Sequence, residues 1–303
     1  MKSETTLSTQ GAASGWTRRA ALAAGAAALA PAARGEDLPW RLPRLRHDRV
    51  HRHRLAFYEM GSGPPLVLVH GMSGSPALEW GRVMTPLSRR FRVIAPFQIG
   101  FGPSDQPADL AYDAATFVDY LGDFLIARAA QNATLVGESF GGWVVAHYAL
   151  RQGQKSAWRQ TLPPISHMVI VDGAVQARPG PPRADGGAQD SINSPAVAKL
   201  AHDFFVSQPA ADNSLVTKAA GPNVMASPVT DAELKTLKTP TLVIWGREDK
   251  LIPVDDGRHI ARQIPGARSV IIGDCGHIPS VEQPRAFLGG LGGLLGVSLE
   301  TLS

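Results

Sequence analysis

Gly137-Glu138-Ser139-Phe140-Gly141 is the stretch on which the reading of this chain turns. It follows an apolar run, Ala133 to Val136, and precedes a helix-like segment from Gly142 to Leu150. A G-x-S-x-G sequence between a strand and a helix marks a sharp turn that lifts a serine hydroxyl clear of the backbone. The flanking glycines have a steric reason: a Cβ two residues before or after the serine would strike neighbouring chain. Ser139 is expected to be exposed and strained. The bare pattern also occurs in ordinary glycine loops, so the flanking strand and helix favour a nucleophile.

A serine alcohol needs a base within hydrogen-bond reach, itself oriented by an acid. Nine histidines compete for the first role. His147 lies eight residues along the helix that starts at the turn, pointing away from it, and His167 opens an apolar strand. His202 sits in a variable middle segment and His259 in a helix between Pro253 and Pro265. His277 follows the strand Ser269 to Ile272, in the loop Gly273-Asp274-Cys275-Gly276-His277-Ile278-Pro279, from which an imidazole can lean over a neighbouring strand. The matching acid is Asp249, just after the apolar strand Thr241 to Trp245; Asp172, at the end of Met168 to Val171, is the alternative.

Upstream, Leu66 to Val69 ends in His70-Gly71-Met72-Ser73-Gly74. A glycine-rich turn there can aim backbone N–H groups at a developing oxyanion. Met72 N–H is expected as the first donor and Phe140 N–H, directly after the nucleophile, as the second. His70 is expected to act structurally, beneath the loop.

With the order Ser139, Asp249, His277 in place, the chain resembles the α/β-hydrolase superfamily over nearly all its length after residue 45. The matching pieces are the His70-Gly71 loop, Val93-Ile94-Ala95-Pro96 leading into Gly100-Phe101-Gly102-Pro103-Ser104-Asp105, the serine turn, and the Asp249 and His277 loops. The resemblance implies a mostly parallel eight-stranded sheet flanked by helices. Many relatives carry an acid after the Ala-Pro pair, where this chain has Phe97 and then Gln98, so the loop beside the oxyanion turn is expected to be organised differently. Dehalogenases and epoxide hydrolases of similar appearance place an aspartate at the turn; Ser139 favours acyl chemistry instead.

Composition fits an α/β enzyme: 44% hydrophobic and 18% charged residues in 303 are enough for a core. Asp48 to Met60 is expected as an opening antiparallel pair. Leu66–Val69, Arg92–Ala95, Ala133–Val136, Met168–Val171, Thr241–Trp245 and Ser269–Ile272 follow as parallel strands, with helices between. The core is expected over 34–173 and 240–303. The interval 174–239 is too long for one crossover helix and is expected to be a small helical lid, with Leu200, Phe204, Phe205 and Val206 as its apolar face. The Gly289-Gly290-Leu291-Gly292-Gly293 run is expected to loosen the last helix.

Residues 1–33 read as a Tat-type export signal: Arg18-Arg19, an alanine-rich segment, then Pro31-Ala32-Ala33. The Tat machinery is thus an expected partner and the periplasm or exterior the expected destination. No later run is long enough to span a bilayer. Cys275 is the single cysteine, so no intrachain disulfide can form; its place near His277 is expected to be a packing one. Arg41, Arg44, Arg46, Arg49, Arg52 and Arg54 form a basic stretch with no nucleic-acid motif, read as a solvated strand face. His51 and His53, an i, i+2 pair on one strand face, lack a third metal ligand, and neither metal nor cofactor is expected.

The expected activity is cleavage of a small-molecule carboxylic ester with a small or medium acyl group, through an acyl-enzyme. Two alternatives remain. Carbon-carbon bond hydrolases of ring-cleavage products are similar around Leu78-Glu79-Trp80 and Phe91 to Pro96, although Trp80 suits a packing role. A noncatalytic binding protein on the same fold is the other.

Overall fold

The computed structural model describes residues 40–176, 191–207 and 213–298. The expected export segment, 1–33, lies outside them, as do Arg178 to Arg183 and Gly186-Gly187. Eight strands form one sheet in the order β1-β2-β4-β3-β5-β6-β7-β8. They are β1 (Arg46–Val50), β2 (His53–Met60), β3 (Pro65–Val69), β4 (Arg92–Pro96), β5 (Thr134–Glu138), β6 (His167–Val171), β7 (Thr241–Gly246) and β8 (Arg268–Ile272). β2 pairs antiparallel with β1 and β4, and β4 through β8 are parallel to one another. The expected strands are all present; the opening pair begins two residues earlier, at Arg46.

Alternation along the central strands builds two cores. Val67, Val69, Leu135, Met168, Ile170, Val243 and Trp245 face one side of the sheet. Leu66, Leu68, Val136, Val169, Val171, Leu242 and Ile244 face the other. Both faces must therefore be covered, as the near-continuous apolar runs of β3, β5, β6 and β7 demand. Helices α2 (Ala114–Ala127), α3 (Phe140–Arg151) and α7 (Val254–Gln263) cover the first face. Helices α1 (Pro76–Ser88) and α9 (Pro284–Leu295) cover the second, with Trp80, Phe287 and Leu291 fully buried.

Local chemistry sets the helix ends. The Ser75 hydroxyl accepts the Leu78 N–H at the start of α1, with Pro76 in the first turn. The Asp113 carboxylate caps α2 through the Thr116 N–H. α9 ends at Gly296 in the left-handed conformation.

Between β6 and β7 lie α4 (Pro195–Ser207), α5 (Ser214–Ala226) and α6 (Asp231–Leu234). The buried stripe of α4 is Val197, Ala201 and Phe204, packed on Ala77, Leu78 and Val281. It differs from the expected face because a helical period joins 197, 201 and 204 and turns Leu200 aside; the side chains of Phe205 and Val206 lie outside the described set. Val216, Ala220 and Val224 of α5 join the first core beside Phe101 and Tyr112. No helix among the described residues is long and apolar enough to cross a membrane.

His51 and His53 do not share a strand face. His51 and Arg52 form the tight turn joining β1 to β2, with His51 at φ 56°, as a two-residue hairpin requires. The His51 ring stacks on Trp158 and its Nε2 lies 2.6 Å from Asp123, while His53 pairs with the Tyr120 hydroxyl. The basic stretch is ion-paired as well as solvated: Arg46 meets Glu59 and Arg52 meets Asp109, with both arginines more than half exposed.

Candidate active site

Ser139 stands at the carboxyl end of β5, where a switch from strand to helix must occur within one residue. Its backbone takes φ 53° and ψ −115°, a conformation that costs a non-glycine residue about 1–3 kcal/mol. The strain is sustained by contacts on every side. The Ser139 N–H donates to Val171 O, and its carbonyl accepts the N–H groups of Gly142 and Ala174. The expected steric role of the glycines holds: a Cβ at Gly137 would lie 2.2 Å from Gly141 O, and one at Gly141 would lie 2.2 Å from Val69 O. Ser139 is partly exposed while both neighbours are buried.

Asp249 and His277 are brought together from loops that follow neighbouring parallel strands. Glu248 N–H donates to Cys275 O and Cys275 N–H donates to the Glu248 carboxylate, which ties the two loops in register. Gly246 lets them close, since a Cβ there would stand 1.8 Å from Gly276 O. As a result Asp249 Oδ2 lies 2.8 Å from His277 Nδ1. The carboxylate accepts the Nδ1 proton, which leaves Nε2 as the basic nitrogen. That atom is buried and has no hydrogen-bond partner among the described residues, the Ser139 hydroxyl included. Nucleophile–base bonds often tighten only with substrate present. Burial disfavours the imidazolium, but Asp249, with Glu79 and Glu282 behind it, outweighs this and holds the His277 pKa above the ordinary value.

The His70-Gly71-Met72 turn is held from below by the His70 ring. Gln98 N–H donates to His70 Nε2 at 3.0 Å, so that nitrogen must be the acceptor and Nδ1–H donates to Gly71 O at 2.7 Å. The Gln98 side-chain amide donates to His70 O at 2.8 Å. Burial drives the His70 pKa down to about 4, keeping the ring neutral. The departure at Phe97-Gln98 thus has a structural meaning: an uncharged amide, rather than an acid, organises this loop. Phe140 is the first residue of α3, so its N–H has no intrahelical partner. The Met72 N–H likewise makes no hydrogen bond among the described residues.

The other candidates have partners of their own. Asp172 is buried with Oδ1 accepting the Gly246 N–H, and burial together with the Asp249 charge pushes its pKa well up. His147 binds Ser227 O and His259 binds Asp231. Cys275 is fully buried, and burial with several nearby carboxyls pushes its thiol pKa far up, which suits packing and not nucleophilic attack.

Three acids around the site escape a reading of the sequence. Glu79 accepts the Gly71 N–H at 2.7 Å. Glu138, inside the pentapeptide, lies 3.2 Å from the Ser280 hydroxyl of the short helix α8 (Pro279–Glu282). Glu282 accepts the N–H groups of Asn193 and Ser194 just ahead of α4, and that of Ile278 beside His277. The signal available was the adjacent Glu138-Ser139 pair and an acid in the first turn of α1; neither reveals that the carboxyls converge.

The description of the Alpha/beta hydrolase family matches residues 66–289 of this chain. The chain belongs to the α/β-hydrolase family. Among relatives of this hydrolase, 2-hydroxy-6-oxo-2,4-heptadienoate hydrolase of Pseudomonas putida is 28% identical over 246 residues, covering 76% of this chain and 88% of that protein. Lipase 1 of Psychrobacter immobilis is 27% identical over 256 residues, 76% of each chain. A thermophilic esterase from Thermogutta terrifontis, solved with malate bound, superimposes with a TM-score of 0.68 at 25% identity, covering 84% of this chain and 98% of the other. The family thus includes both carbon-carbon bond hydrolases and ester hydrolases among proteins similar to this one.

Proposed function

We propose that this α/β hydrolase is an exported serine esterase acting on carboxylic esters with a small or medium acyl group. The observation that carries the reading is the Asp249–His277 hydrogen bond, which leaves His277 Nε2 unpaired in the same site as the strained Ser139. In this mechanism Nε2 takes the Ser139 proton as the hydroxyl oxygen attacks the ester carbonyl. The oxyanion is held by the Met72 and Phe140 N–H groups. The imidazolium returns the proton to the departing alcohol, water is activated by the same nitrogen, and the acid is released. Segment 174–239 serves as the lid, and residues 1–33 direct Tat export to the periplasm or beyond.

Charge supports an ester over the second reading, cleavage of a vinylogous diketone. Five carboxyls, Glu79, Glu138, Asp172, Asp249 and Glu282, crowd the site; burial holds Glu138 and Asp172 toward the neutral form, and no lysine or arginine among the described residues is bonded to any of the five. A dienoate brings its own negative charge, which such surroundings repel; a neutral ester does not. The second reading is favoured by the names of the Pseudomonas relatives, 2-hydroxymuconate semialdehyde hydrolase included. A fluorophosphonate probe is expected to label Ser139 of the mature protein, and folded protein that never labels would sink both hydrolytic readings. Turnover of p-nitrophenyl esters beside a ring-cleavage dienoate separates them.

A further inference from the structure

We propose that Glu79 is a positioning residue of the oxyanion turn, holding Met72 in place from both sides as a carboxylate, while Glu138 beneath it is the neutral, protonated partner. The inference rests on the reading of Met72 N–H as an oxyanion donor. Glu79 lies in the first turn of α1, fully packed around and almost without exposure. Its Oε2 accepts the Gly71 N–H at 2.7 Å and its Oε1 accepts the Ser73 hydroxyl. These two donors flank Met72 in sequence. The Ser73 oxygen meanwhile accepts the Ser75 N–H at 3.2 Å, which directs its own proton to Glu79.

The carboxyl stands beside the nucleophile. A Cβ at Gly71 would lie 3.0 Å from Ser139 Cβ and 3.4 Å from Glu79 Oε1. Both of its hydrogen bonds need acceptor oxygens, so a carboxylate serves the turn and a carboxylic acid serves it less well. The neighbouring acid takes the opposite state for a geometric reason. Ser280 Oγ lies 2.6 Å from Glu79 O, an acceptor only, and that contact uses the single hydroxyl proton. Glu138 Oε2, 3.2 Å from the same Oγ, is then a donor and carries a proton. Burial, reinforced by the Glu79 charge, pushes the Glu138 pKa well up in agreement with this. For Glu79 itself burial raises the pKa to about 7, with the Ser73 and Gly71 bonds holding it down.

The test compares Glu79→Ala and Glu79→Gln with the parent protein at pH 8, using a p-nitrophenyl ester and a trifluoromethyl ketone that mimics the tetrahedral intermediate. Glu79→Ala is expected to lower kcat roughly 10- to 100-fold, the scale of a misplaced oxyanion donor, and to weaken the ketone by a similar factor. KM should stay within about twofold, since the turn acts on the transition state. In Glu79→Gln the amide oxygen still accepts the Gly71 N–H while the amide nitrogen cannot accept the Ser73 hydroxyl, so kcat should fall between those of the parent and Glu79→Ala. Parental kcat and ketone affinity in Glu79→Ala, or equal losses in both variants, would overturn the proposal. Should Glu79→Ala fail to fold, Ser73→Ala carries the test: an unchanged kcat overturns the idea, and a several-fold loss with KM retained supports it. Fluorophosphonate labelling of the parent protein keeps the two levels apart. A parent that labels and turns over beside an unaffected Glu79→Ala refutes this inference alone, whereas a parent that never labels refutes the serine-hydrolase reading beneath it.

Discussion

Asp249 Oδ2 lies 2.8 Å from His277 Nδ1, while the other oxygen of the same carboxylate accepts the N–H groups of Leu251 at 2.7 Å and Ile252 at 3.0 Å. The acid is therefore fixed by its own loop and has one oxygen left for the histidine. Asp249→Asn should put the imidazole in the wrong tautomer and lower kcat by roughly 10⁴, as in other Ser-His-Asp sites. Asp172 makes no hydrogen bond to His277 in this structure; its Oδ1 accepts the Gly246 N–H. Steady-state kinetics decide this, and a loss below tenfold would count against Asp249 as the orienting acid.

The direction of the His277 shift gives a pH prediction. In the proposed mechanism His277 acts as the base and must be neutral, and its pKa lies above 6.5 because, against burial, Asp249 raises it. The acid limb of kcat/KM is expected above pH 6.5, moving down in Asp249→Asn, where the carboxylate charge is gone. The same shift has a stability sign: the His277⁺ interaction is fully present below the unfolded pKa and is lost as pH rises through the folded one. A parental acid limb well below 6.5 would contradict this placement of charge.

Glu79 gives the opposite kind of group, an acid whose folded pKa, about 7, exceeds the ordinary 4.5. Between those values the native state binds more protons than the unfolded one, so this group's contribution to stability falls as pH rises. The slope is at most about 1.4 kcal/mol per pH unit. Glu79→Gln should flatten that part of the melting-temperature profile between pH 4.5 and 7. Identical slopes in parent and variant would show that Glu79 does not titrate in this window.

Two glycine substitutions should differ in sign. Gly141→Ala places a Cβ 2.2 Å from Val69 O and 2.7 Å from His70 O, so the serine turn must shift; we expect loss of activity and a destabilisation of more than about 2 kcal/mol. Gly289, exposed within α9, has nothing within 4 Å of an added Cβ. Gly289→Ala should stabilise by up to about 1 kcal/mol. Thermal unfolding reads both, and a destabilised Gly289→Ala would refute the account of α9.

The fold was legible because its strands are short apolar runs with glycine or proline at their ends, and the parallel sheet forces both faces to be buried. Ser139, Asp249 and His277 were legible as a candidate set because each lies in the turn or loop that follows a strand, at the carboxyl end of the sheet. Glu79 was not. In sequence an acid in a helix's first turn is a partner for the helix dipole, and only the packing of α1 against the serine turn converts it into an acceptor for Gly71. His51 was misplaced because an i, i+2 spacing assumes an unbroken strand, and the hairpin turn falls on His51 itself. The α4 stripe was shifted because a run of bulky residues, Phe204 to Val206, drew attention from the helical period that sets the buried face.

Cys275 is the only thiol in the 303 residues, it is fully buried, and it lies in the loop that Glu248 ties to the Asp249 loop. A thiol-directed reagent can reach it only when those two loops part. The protein thus carries its own clock for the breathing of the Asp249–His277 region: labelling rate in native buffer measures how often that seam opens, without any engineered probe.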